Sequence, residues 1–272
     1  MENKKNVKYI ALFSGGKDSV AMTDLLLKNN YPVDYIVFND TSIEFDLMYE
    51  YIKKVNLYFQ KKYNKSITTI EPIIEFKEHL LGRRKRGKNV GRVRGFFTPS
   101  ISFCDIRREN KEKSFKRWLK KNKIQEHIKY IGFTREESNR AERFKKVFPN
   151  TIFPLIEYFD MTEKDCLEYL KKINLENPLY KYFNRTGCKF CHYQSDKDWF
   201  NIWKYFPEDW QELKELEQEI LKLDDAEVVN KYIFLGYKTT ADMERKFMGL
   251  DYINTIKNRI KEEFNKQIKK IA

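Results

Sequence analysis

The chain has 272 residues, 41% of them hydrophobic and 34% charged, which is enough for one or two globular domains and excludes a disordered or fibrous protein. It has no apolar run of the ~20 residues that a membrane helix needs, and its first residues form no secretory core, so we expect a cytoplasmic protein that does not enter a membrane. A net charge of +13 favours a polyanionic partner wherever that charge is concentrated.

The N-terminal part alternates strand-like and helix-like segments. The predicted strands are Tyr9–Phe13, Val33–Phe38, Ile67–Ile70, Ile128–Gly132 and Thr151–Leu155. The predicted helices are Asp18–Lys28, about Ile43–Tyr63 and about Asp105–Lys121. Strand, helix and parallel strand in repetition predict an α/β fold with a doubly wound, mostly parallel, Rossmann-like sheet, which binds ligands at the carboxyl ends of its strands.

From about residue 157 the pattern changes to helices around a loop rich in tyrosine and cysteine. Pro207 begins one of these helices, and an amphipathic helix ends the chain. We therefore expect an α/β domain over residues 1–195 and a helical region over 196–272 packed on it. The terminal helices also offer a surface for a homodimer.

The first strand leads into Ser14-Gly-Gly-Lys-Asp-Ser19. Backbone N–H groups of a glycine turn, followed by a helix N-terminus, form an anion site. The nucleoside-triphosphate loop Gly-x4-Gly-Lys-Ser/Thr does not fit, because Asp18 follows Lys17 and Ala11 replaces the first glycine. The hexapeptide is similar to the Ser-Gly-Gly-x-Asp-Ser loop (PP-loop) of the N-type ATP pyrophosphatases, which release pyrophosphate when they adenylate a substrate.

Further stretches resemble the 3'-phosphoadenylyl-sulfate (PAPS) reductase family of that superfamily. They are FNDTSIEF at 38–45, GFTREESNR at 132–140, PLIEYFDMTEKDCLEYL at 154–170 and YFNRTGCKFCHYQ at 182–194. The resemblance covers residues 9 to about 195 and implies an adenine nucleotide alpha-hydrolase-like fold.

The resemblance also implies site residues. The groups that bind the phosphates of ATP, or of a related adenylyl nucleotide, are Ser14, Gly15, Gly16 and Ser19. Lys17 neutralises phosphate charge, and Asp18 either coordinates Mg²⁺ or caps the helix; with Ser19 these are the catalytic candidates. The remaining nucleotide contacts are Phe38, Asn39 and Asp40 for adenine, Gly132 for close backbone approach, and Ser138 and Arg140 for the α-phosphate or sulfate-like end.

The chain departs from the family at three places. Thr134 stands where the family has an arginine, with Arg135 next to it, and Phe159-Asp160 replaces Trp-Thr. The sequence ends in KQIKKIA and lacks the Glu-Cys-Gly-Leu-His tail that carries the thiol of thiol-dependent PAPS reductases. We therefore expect no sulfate reduction by that mechanism.

The cysteines predict a metal site. Cys188 and Cys191 have the Cys-x-x-Cys spacing that lets two thiolates reach one metal, and Cys104 precedes a helix. Together they look like the three-cysteine set that holds an iron–sulfur cluster in tRNA-thiolating and DNA-phosphorothioating relatives. The alternative is a zinc site that adds His192. We expect Cys166 to be a buried helix residue and His79 and His127 to lie on the surface.

The stretch GRRKRGKNVGRVRG at 82–95 holds seven basic residues and no acidic residue. Guanidinium groups on a glycine-rich loop pair well with phosphates, although a solvated surface is the alternative. The predicted nucleic-acid or phosphate contacts are Arg83, Arg84, Arg86, Arg92 and Arg94.

These features favour an enzyme that binds ATP and Mg²⁺, adenylates an acceptor and transfers sulfur to it from an iron–sulfur cluster. The basic stretch points to tRNA, DNA or a nucleotide as the acceptor, and a sulfur-donor protein is an expected partner. One alternative is reduction of PAPS or adenylyl sulfate. The other is a non-catalytic module that binds nucleotide or nucleic acid and has a zinc clip.

Overall fold

A computed structural model describes residues 7–97, 104–234 and 238–271. The chain divides into two compact units, the first made of residues 1–76 and 104–189 and the second of residues 77–103 and 190–272. The main junction at 189/190 lies close to the boundary expected at 195. The segment 77–103, which holds the basic stretch, belongs to the second unit although it interrupts the first in sequence.

The strands are β1 (Lys8–Phe13), β2 (Tyr35–Asn39), β3 (Ile67–Ile70), β4 (Val93–Gly95), β5 (His127–Tyr130), β6 (Thr151–Ile152) and β7 (Val228–Asn230). The helices are α1 (Lys17–Lys28), α2 (Asp46–Tyr63), α3 (Phe76–Leu81), α4 (Ser114–Lys121), α5 (Ser138–Val147), α6 (Pro154–Glu157), α7 (Glu163–Lys172), α8 (Asp196–Tyr205), α9 (Pro207–Leu221) and α10 (Thr240–Ile271). Shorter helical segments are Arg107–Lys113 (π-helical), Arg135–Glu137 and Pro178–Lys181 (both 3₁₀).

The first unit is built on a five-stranded sheet of order β3-β2-β1-β5-β6. Every neighbouring pair is parallel; Ile10 aligns with Tyr35 on one side of β1 and with Lys129 on the other. The predicted mostly parallel α/β fold is therefore confirmed. Because β2 lies on one side of β1 and β5 on the other, the strand order reverses at β1.

Several predicted bounds shift by two or three residues, and two predicted elements differ more substantially from the structure. The last predicted strand ends at Ile152, because Pro154 begins α6, where its missing N–H costs no hydrogen bond. The helix predicted from Asp105 contains a π-helical segment over Arg107–Lys113 before α4 begins.

The sheet and α4 share an apolar core. Ile10, Val37 and Ile70 come from three adjacent strands and pack with aromatic and aliphatic side chains of α4. Branched side chains suit the pleated surface, and the amphipathic face of α4 covers it.

Asp24, in α1, links three helices of the first unit by hydrogen bonds. Its fully buried carboxylate accepts hydrogen bonds from the hydroxyl of Tyr63 in α2, at 2.8 Å, and from the hydroxyl of Tyr169 in α7. A buried carboxylate is stable only with such partners. The helix that follows the Ser14–Ser19 loop is thereby held against its neighbours.

The second unit contains the parallel pair β4 and β7 and helices α8 to α10. Its core includes Trp199, Trp210 and Phe247, and the Trp210 indole N–H donates to Glu244 at 2.7 Å. The buried carboxylate of Glu217 accepts the backbone N–H of Thr240 at 2.9 Å, which caps the start of α10. Over the residues that the structure describes, no helix is long and apolar enough to span a bilayer.

Candidate functional site

The candidate site lies at the carboxyl end of β1. Residues 14–16 connect this strand to the first residue of α1. The reversal of strand order at β1 makes this end a topological switch point, where α/β sheets bind their ligands. The local sequence thus places a glycine turn and a helix N-terminus at the position that the fold class favours for an anion.

Gly15 and Gly16 shape the turn. Gly15 has φ +74°, and a Cβ there would lie 2.5 Å from the sulfur of the buried Met48. A Cβ on Gly16 would lie 3.1 Å from the Thr186 hydroxyl oxygen. Gly15 therefore meets both a backbone and a packing requirement for glycine.

Ser19 ties the loop together. Its hydroxyl donates to the carbonyl oxygen of Gly16 at 2.9 Å and accepts the backbone N–H of Ser14 at 3.2 Å. The two serine hydroxyl oxygens also lie 3.2 Å apart. The predicted phosphate ligands Ser14 and Ser19 are therefore brought together, and the loop is preorganised by its own hydrogen bonds.

Lys17 is buried and surrounded by partners. Its Nζ lies 2.9 Å from Oε2 of Glu163 and 3.5 Å from Oδ2 of Asp18, and its backbone N–H donates to the Tyr180 hydroxyl at 2.9 Å. Burial pulls the pKa of Lys17 down, but the bond to Glu163 and the negative charge of Asp18 outweigh it and raise the pKa to about 12. Lys17 therefore stays a cation and can neutralise phosphate charge.

Asp18 does not cap α1. The N-cap is Gly16, which has no side chain to accept a hydrogen bond, so the capping alternative is wrong. Oδ1 of Asp18 is buried and accepts no hydrogen bond from the described residues. Burial raises the pKa of Asp18 to about 6, against the opposing effect of the Lys17 ammonium. A carboxylate oxygen without a partner, beside a phosphate loop, fits a hard cation such as Mg²⁺.

This raised pKa makes stability depend on pH. The native state binds the proton of Asp18 more tightly than the unfolded state does. The stabilisation that this bound proton gives the fold is therefore lost as pH rises from about 3.8 to about 6. Asp18→Asn removes the buried charge, and we expect it to be more stable than the wild type above pH 6 by about 1–2 kcal/mol, a figure reduced for partial exposure.

Urea unfolding across a pH series measures this difference. The gain should disappear below pH 3.8, where Asp18 is protonated in both states. Asp46→Asn is the matched control, because Asp46 is exposed in the first turn of α2, and it should show no such gain. A variant at Asp18 that is less stable than the wild type at neutral pH would contradict the burial argument.

The predicted adenine contacts follow β2. Phe38 is buried in the sheet. The carboxylate of Asp40 accepts the backbone N–H of Ser42 and the hydroxyl of Tyr49, each at 2.8 Å. Asp40 therefore shapes the turn after β2, and its contact with a nucleotide stays a prediction.

Gly132 lies against the first turn of α1. A Cβ at this position would lie 3.0 Å from the backbone carbon and oxygen of Asp18 and from the nitrogen of Ser19. Because Gly132 has no side chain, its backbone can lie close to the backbone of α1. The sequence predicted a close approach of Gly132 to a nucleotide, whereas the observed close approach is to this helix. Gly132 thereby sets the distance between the β5 loop and the phosphate loop.

Polar residues after β5 already have protein partners. The Ser138 hydroxyl donates to the carbonyl of Arg135 at 2.6 Å. Arg140 pairs with Glu137, and its guanidinium carbon lies 4.2 Å from the centroid of the Phe133 ring. These contacts position Ser138 and Arg140, and their role as phosphate ligands stays a prediction.

Three residues beside the loop escaped sequence analysis: Glu163, Asn177 and Tyr180. The Asn177 amide donates to the carbonyl of Gly15 at 2.9 Å. The Tyr180 hydroxyl accepts the backbone N–H of Lys17, and the Glu163 carboxylate accepts from its ammonium group. Thr162 begins a capping box, a signal that could have placed Glu163 at a helix N-terminus. No comparable motif marks Tyr180.

All four cysteines are thiols. The Cys188 sulfur lies 3.5 Å from the Thr41 hydroxyl, which donates at 2.7 Å to the buried Glu44, whose pKa burial raises. The Cys104 sulfur accepts the Arg107 N–H at 3.5 Å. Cys166 is fully buried in α7, as predicted, and burial raises its pKa.

The predicted cysteine set spans both units, with Cys104 and Cys188 in the first and Cys191 in the second. Among the described residues, no group of three or more Cys, His, Asp and Glu is placed to hold a metal ion. The three-cysteine site stays a prediction. His192 is buried, and burial lowers its pKa. His79 is buried beside Phe97, so its predicted surface position is wrong.

The basic stretch is not a loose loop, because one of its arginines is bonded to the rest of the protein. Arg92 directs its guanidinium into the protein, where it donates to Asn89 Oδ1 at 3.1 Å, to the carbonyl of Asp225 at 2.9 Å and to the carbonyl of Val228. Arg92 as a phosphate contact is therefore wrong, because both terminal guanidinium nitrogens bond protein acceptors and Nε is buried. Arg83 and Arg86 are exposed, whereas Arg84 and Arg94 are half-buried.

Comparisons with solved structures find several similar chains, among them a reductase and a thiolase. Phosphoadenylyl-sulfate reductase from Candida auris, in complex with phosphate, is 16% identical with a TM-score of 0.39 over 65% of this chain and 81% of its own. The U34-tRNA thiolase NcsA from Methanococcus maripaludis, with its 4Fe-4S cluster, is 17% identical with a TM-score of 0.39 over 81% of this chain and 74% of its own.

No protein of curated description matches the chain. The family model of the phosphoadenosine phosphosulfate reductase domain matches residues 8–194. These residues hold the five-stranded sheet, the Ser14–Ser19 loop and all four cysteines. Since the match covers more than half of its length, the chain belongs to the phosphoadenosine phosphosulfate reductase domain family.

Proposed function

We propose that this protein binds ATP with Mg²⁺, adenylates an acceptor and transfers sulfur to it, the acceptor being a nucleic acid or a nucleotide. The observation that carries this proposal is the Ser14–Ser19 loop at the switch point of the sheet, with a buried lysine and a carboxylate oxygen that lacks a partner among the described residues. A loop of this kind binds a polyphosphate better than it binds an uncharged ligand.

The phosphates have a matched set of groups. The backbone N–H groups of the glycine turn and the Ser14 hydroxyl line the loop, and Lys17 supplies a positive charge. Glu163 has to give up part of its bond to Lys17 when a polyphosphate arrives. Mg²⁺ usually takes one or two carboxylates together with phosphate oxygens, so Asp18 and the nucleotide supply enough ligands without a cage of protein side chains.

The chemistry balances without an oxidant or reductant. An oxygen of the acceptor attacks the α-phosphorus of ATP, the bond to the β-phosphate oxygen breaks, and pyrophosphate leaves. Sulfide then forms a bond to the acceptor carbon, and AMP leaves with the original oxygen. Lys17 would neutralise part of the charge that develops on the departing pyrophosphate, and Asp18 would hold the Mg²⁺ that shares this role.

Sulfur has a proposed place at Cys104, Cys188 and Cys191. Thiolates suit an iron–sulfur cluster or zinc, and a cluster held by these three cysteines would supply the sulfide for the transfer. The Thr41 hydroxyl, which donates to Glu44, lies 3.5 Å from the Cys188 sulfur. That contact orients the Cys188 side chain.

The test is the metal and acid-labile sulfide content of protein purified without oxygen, together with its absorption spectrum. We expect about four irons and four sulfides per chain, lost in Cys188→Ala and kept in the control Cys166→Ala. Supplied with ATP, sulfide and tRNA or DNA, the loaded protein should form pyrophosphate and AMP.

Zinc alone, or no metal, would reject the sulfur-carrying step. Pyrophosphate formation would then still support adenylation. No pyrophosphate with any nucleic acid or nucleotide would reject the enzyme and favour a binding module.

Membership of the reductase domain family favours a second candidate, reduction of PAPS or adenylyl sulfate. The same loop suits either nucleotide. Sulfite formed from one of them, with a thiol reductant present, would establish this activity in place of thiolation.

A further inference from the structure

The basic stretch folds into a closed antiparallel hairpin over residues 83–93. Arg84 and the opposite strand exchange backbone hydrogen bonds, with Arg84 N–H donating to Arg92 and Gly91 N–H donating to Arg84, each at 2.8 Å. Gly87 and Gly91 have φ of +84° and +83°, which glycine adopts without strain. The charges therefore stand on an ordered ribbon.

The base of this hairpin is anchored within the second unit. The Arg92 guanidinium donates to two carbonyls of the segment around β7, and the Val93 N–H donates to the carbonyl of Glu227 at 2.7 Å. Val93 and Val228 are also paired in the β4–β7 sheet. Arg92 is a positioning residue, because its guanidinium group bonds protein carbonyls and holds the hairpin in place.

The tip of the hairpin presents three cations to solvent: Lys85, Arg86 and Lys88. All three are exposed, and none forms an ion pair with a residue in the described ranges. The sequence supplies no acidic residue from 82 to 97. Exposed basic residues elsewhere often have carboxylate partners, as Lys113 has Glu109 and Arg107 has Glu112.

We infer that the tip of the 83–93 hairpin is a docking element for the sugar-phosphate backbone of a polynucleotide. The inference rests on the proposed function, whose nucleic-acid acceptor it specifies. Phosphate contacts position a protein on nucleic acid, and a two-stranded ribbon is narrow enough to enter a duplex groove. An ordered hairpin also loses little conformational freedom on binding. RNA and DNA share this chemistry.

The experiment compares two triple variants that remove the same charge. The tip variant is Lys85→Gln/Arg86→Gln/Lys88→Gln, and the matched control is Lys116→Gln/Arg117→Gln/Lys120→Gln on the exposed face of α4. Both remove two lysines and one arginine, and glutamine suits a helix as well as a turn. Binding of the full chain to a labelled RNA stem–loop and to a DNA duplex of equal length is followed by fluorescence anisotropy at several KCl concentrations.

We expect the tip variant to lose at least about tenfold in affinity at low salt. Its slope of log K against log salt should fall by about 2 to 3, because each lost phosphate contact contributes about 0.7 to 0.9. The control should stay within about threefold of the wild type, because it lowers net charge without removing a contact. The probe whose affinity falls more in the tip variant shows whether the hairpin docks on RNA or on DNA.

A tip variant that binds both probes as the wild type does would overturn the inference. So would a control that loses as much affinity, since net charge alone would then explain binding. The assay contains no ATP and measures no product. Docking through the tip without pyrophosphate formation would therefore reject only the proposed reaction, and product formation by a protein whose tip is dispensable would reject only the docking element.

Discussion

Gly95→Ala is expected to lower the free energy of unfolding by about 3–5 kcal/mol and to disrupt the second unit. A Cβ on Gly95 would lie 1.9 Å from the carbonyl oxygen and 2.8 Å from the carbonyl carbon of Asn230. Those atoms are backbone of the paired strand β7, so no side chain can turn away to make room. The φ of +67° adds strain for any residue other than glycine.

The damage should spread along the β4–β7 pair. The Phe96 N–H donates to the carbonyl of Asn230 at 3.0 Å, and the Asn230 amide returns a bond to the carbonyl of Phe96 at 2.8 Å. Separating the strands breaks both bonds. It also moves the base of the basic hairpin.

Gly87→Ala is the matched control. Its φ of +84° carries similar backbone strain, but a Cβ there has nothing within 4 Å. We expect it to cost only about 1 kcal/mol. Urea unfolding followed by tryptophan fluorescence suits the comparison, since Trp199, Trp203 and Trp210 belong to the second unit. Equal losses in the two variants would show that the contact with Asn230 relaxes.

Lys17→Met is expected to lower the affinity for Mg²⁺-ATP by about 30-fold to several thousandfold. Removing one partner of a buried charge pair typically costs about 2–5 kcal/mol, because the other charge is left uncompensated. Here two carboxylates, Asp18 and Glu163, would face the polyphosphate without the ammonium that now lies between them. Like charges at such short distances repel strongly where water is excluded.

Isothermal titration calorimetry with Mg²⁺-ATP measures this loss. Lys28→Met, at the other end of α1, removes the same charge from an exposed position and should change the affinity less than about twofold. Circular dichroism establishes that both variants are folded. Similar affinities in the wild type and Lys17→Met would remove Lys17 from the nucleotide site.

The parts of the site that sequence analysis found are contiguous in the chain. Residues 14–19 follow a buried strand, and a strand, a glycine turn and a helix start are all local patterns. The centre of the parallel sheet was predictable for the same reason, since β1 and β2 are short, mostly apolar runs. The glycine at 132 was found too, but its packing against Asp18 depends on the position of another element.

The parts that were missed depend on long-range contacts. Tyr180 reaches Lys17 across 163 positions of sequence, and Glu163 reaches it across 146. The strands β4 and β7 are three residues long, too short to show a period. Arg92 looked like its neighbours in the basic stretch, and only the carbonyls of Asp225 and Val228 distinguish it.

The interleaving of the two units constrains how a nascent chain folds. The centre of the first sheet joins Lys8 to His127, and the second unit joins Val93 to Val228, so both sheets close only after a long further stretch has been synthesised. Such high contact order slows folding, because loop-closure entropy is lost before the pairing is gained. Until then β1 and β4 expose unpaired edges on the ribosome, and co-translational folding of this protein should benefit from a chaperone that shields them.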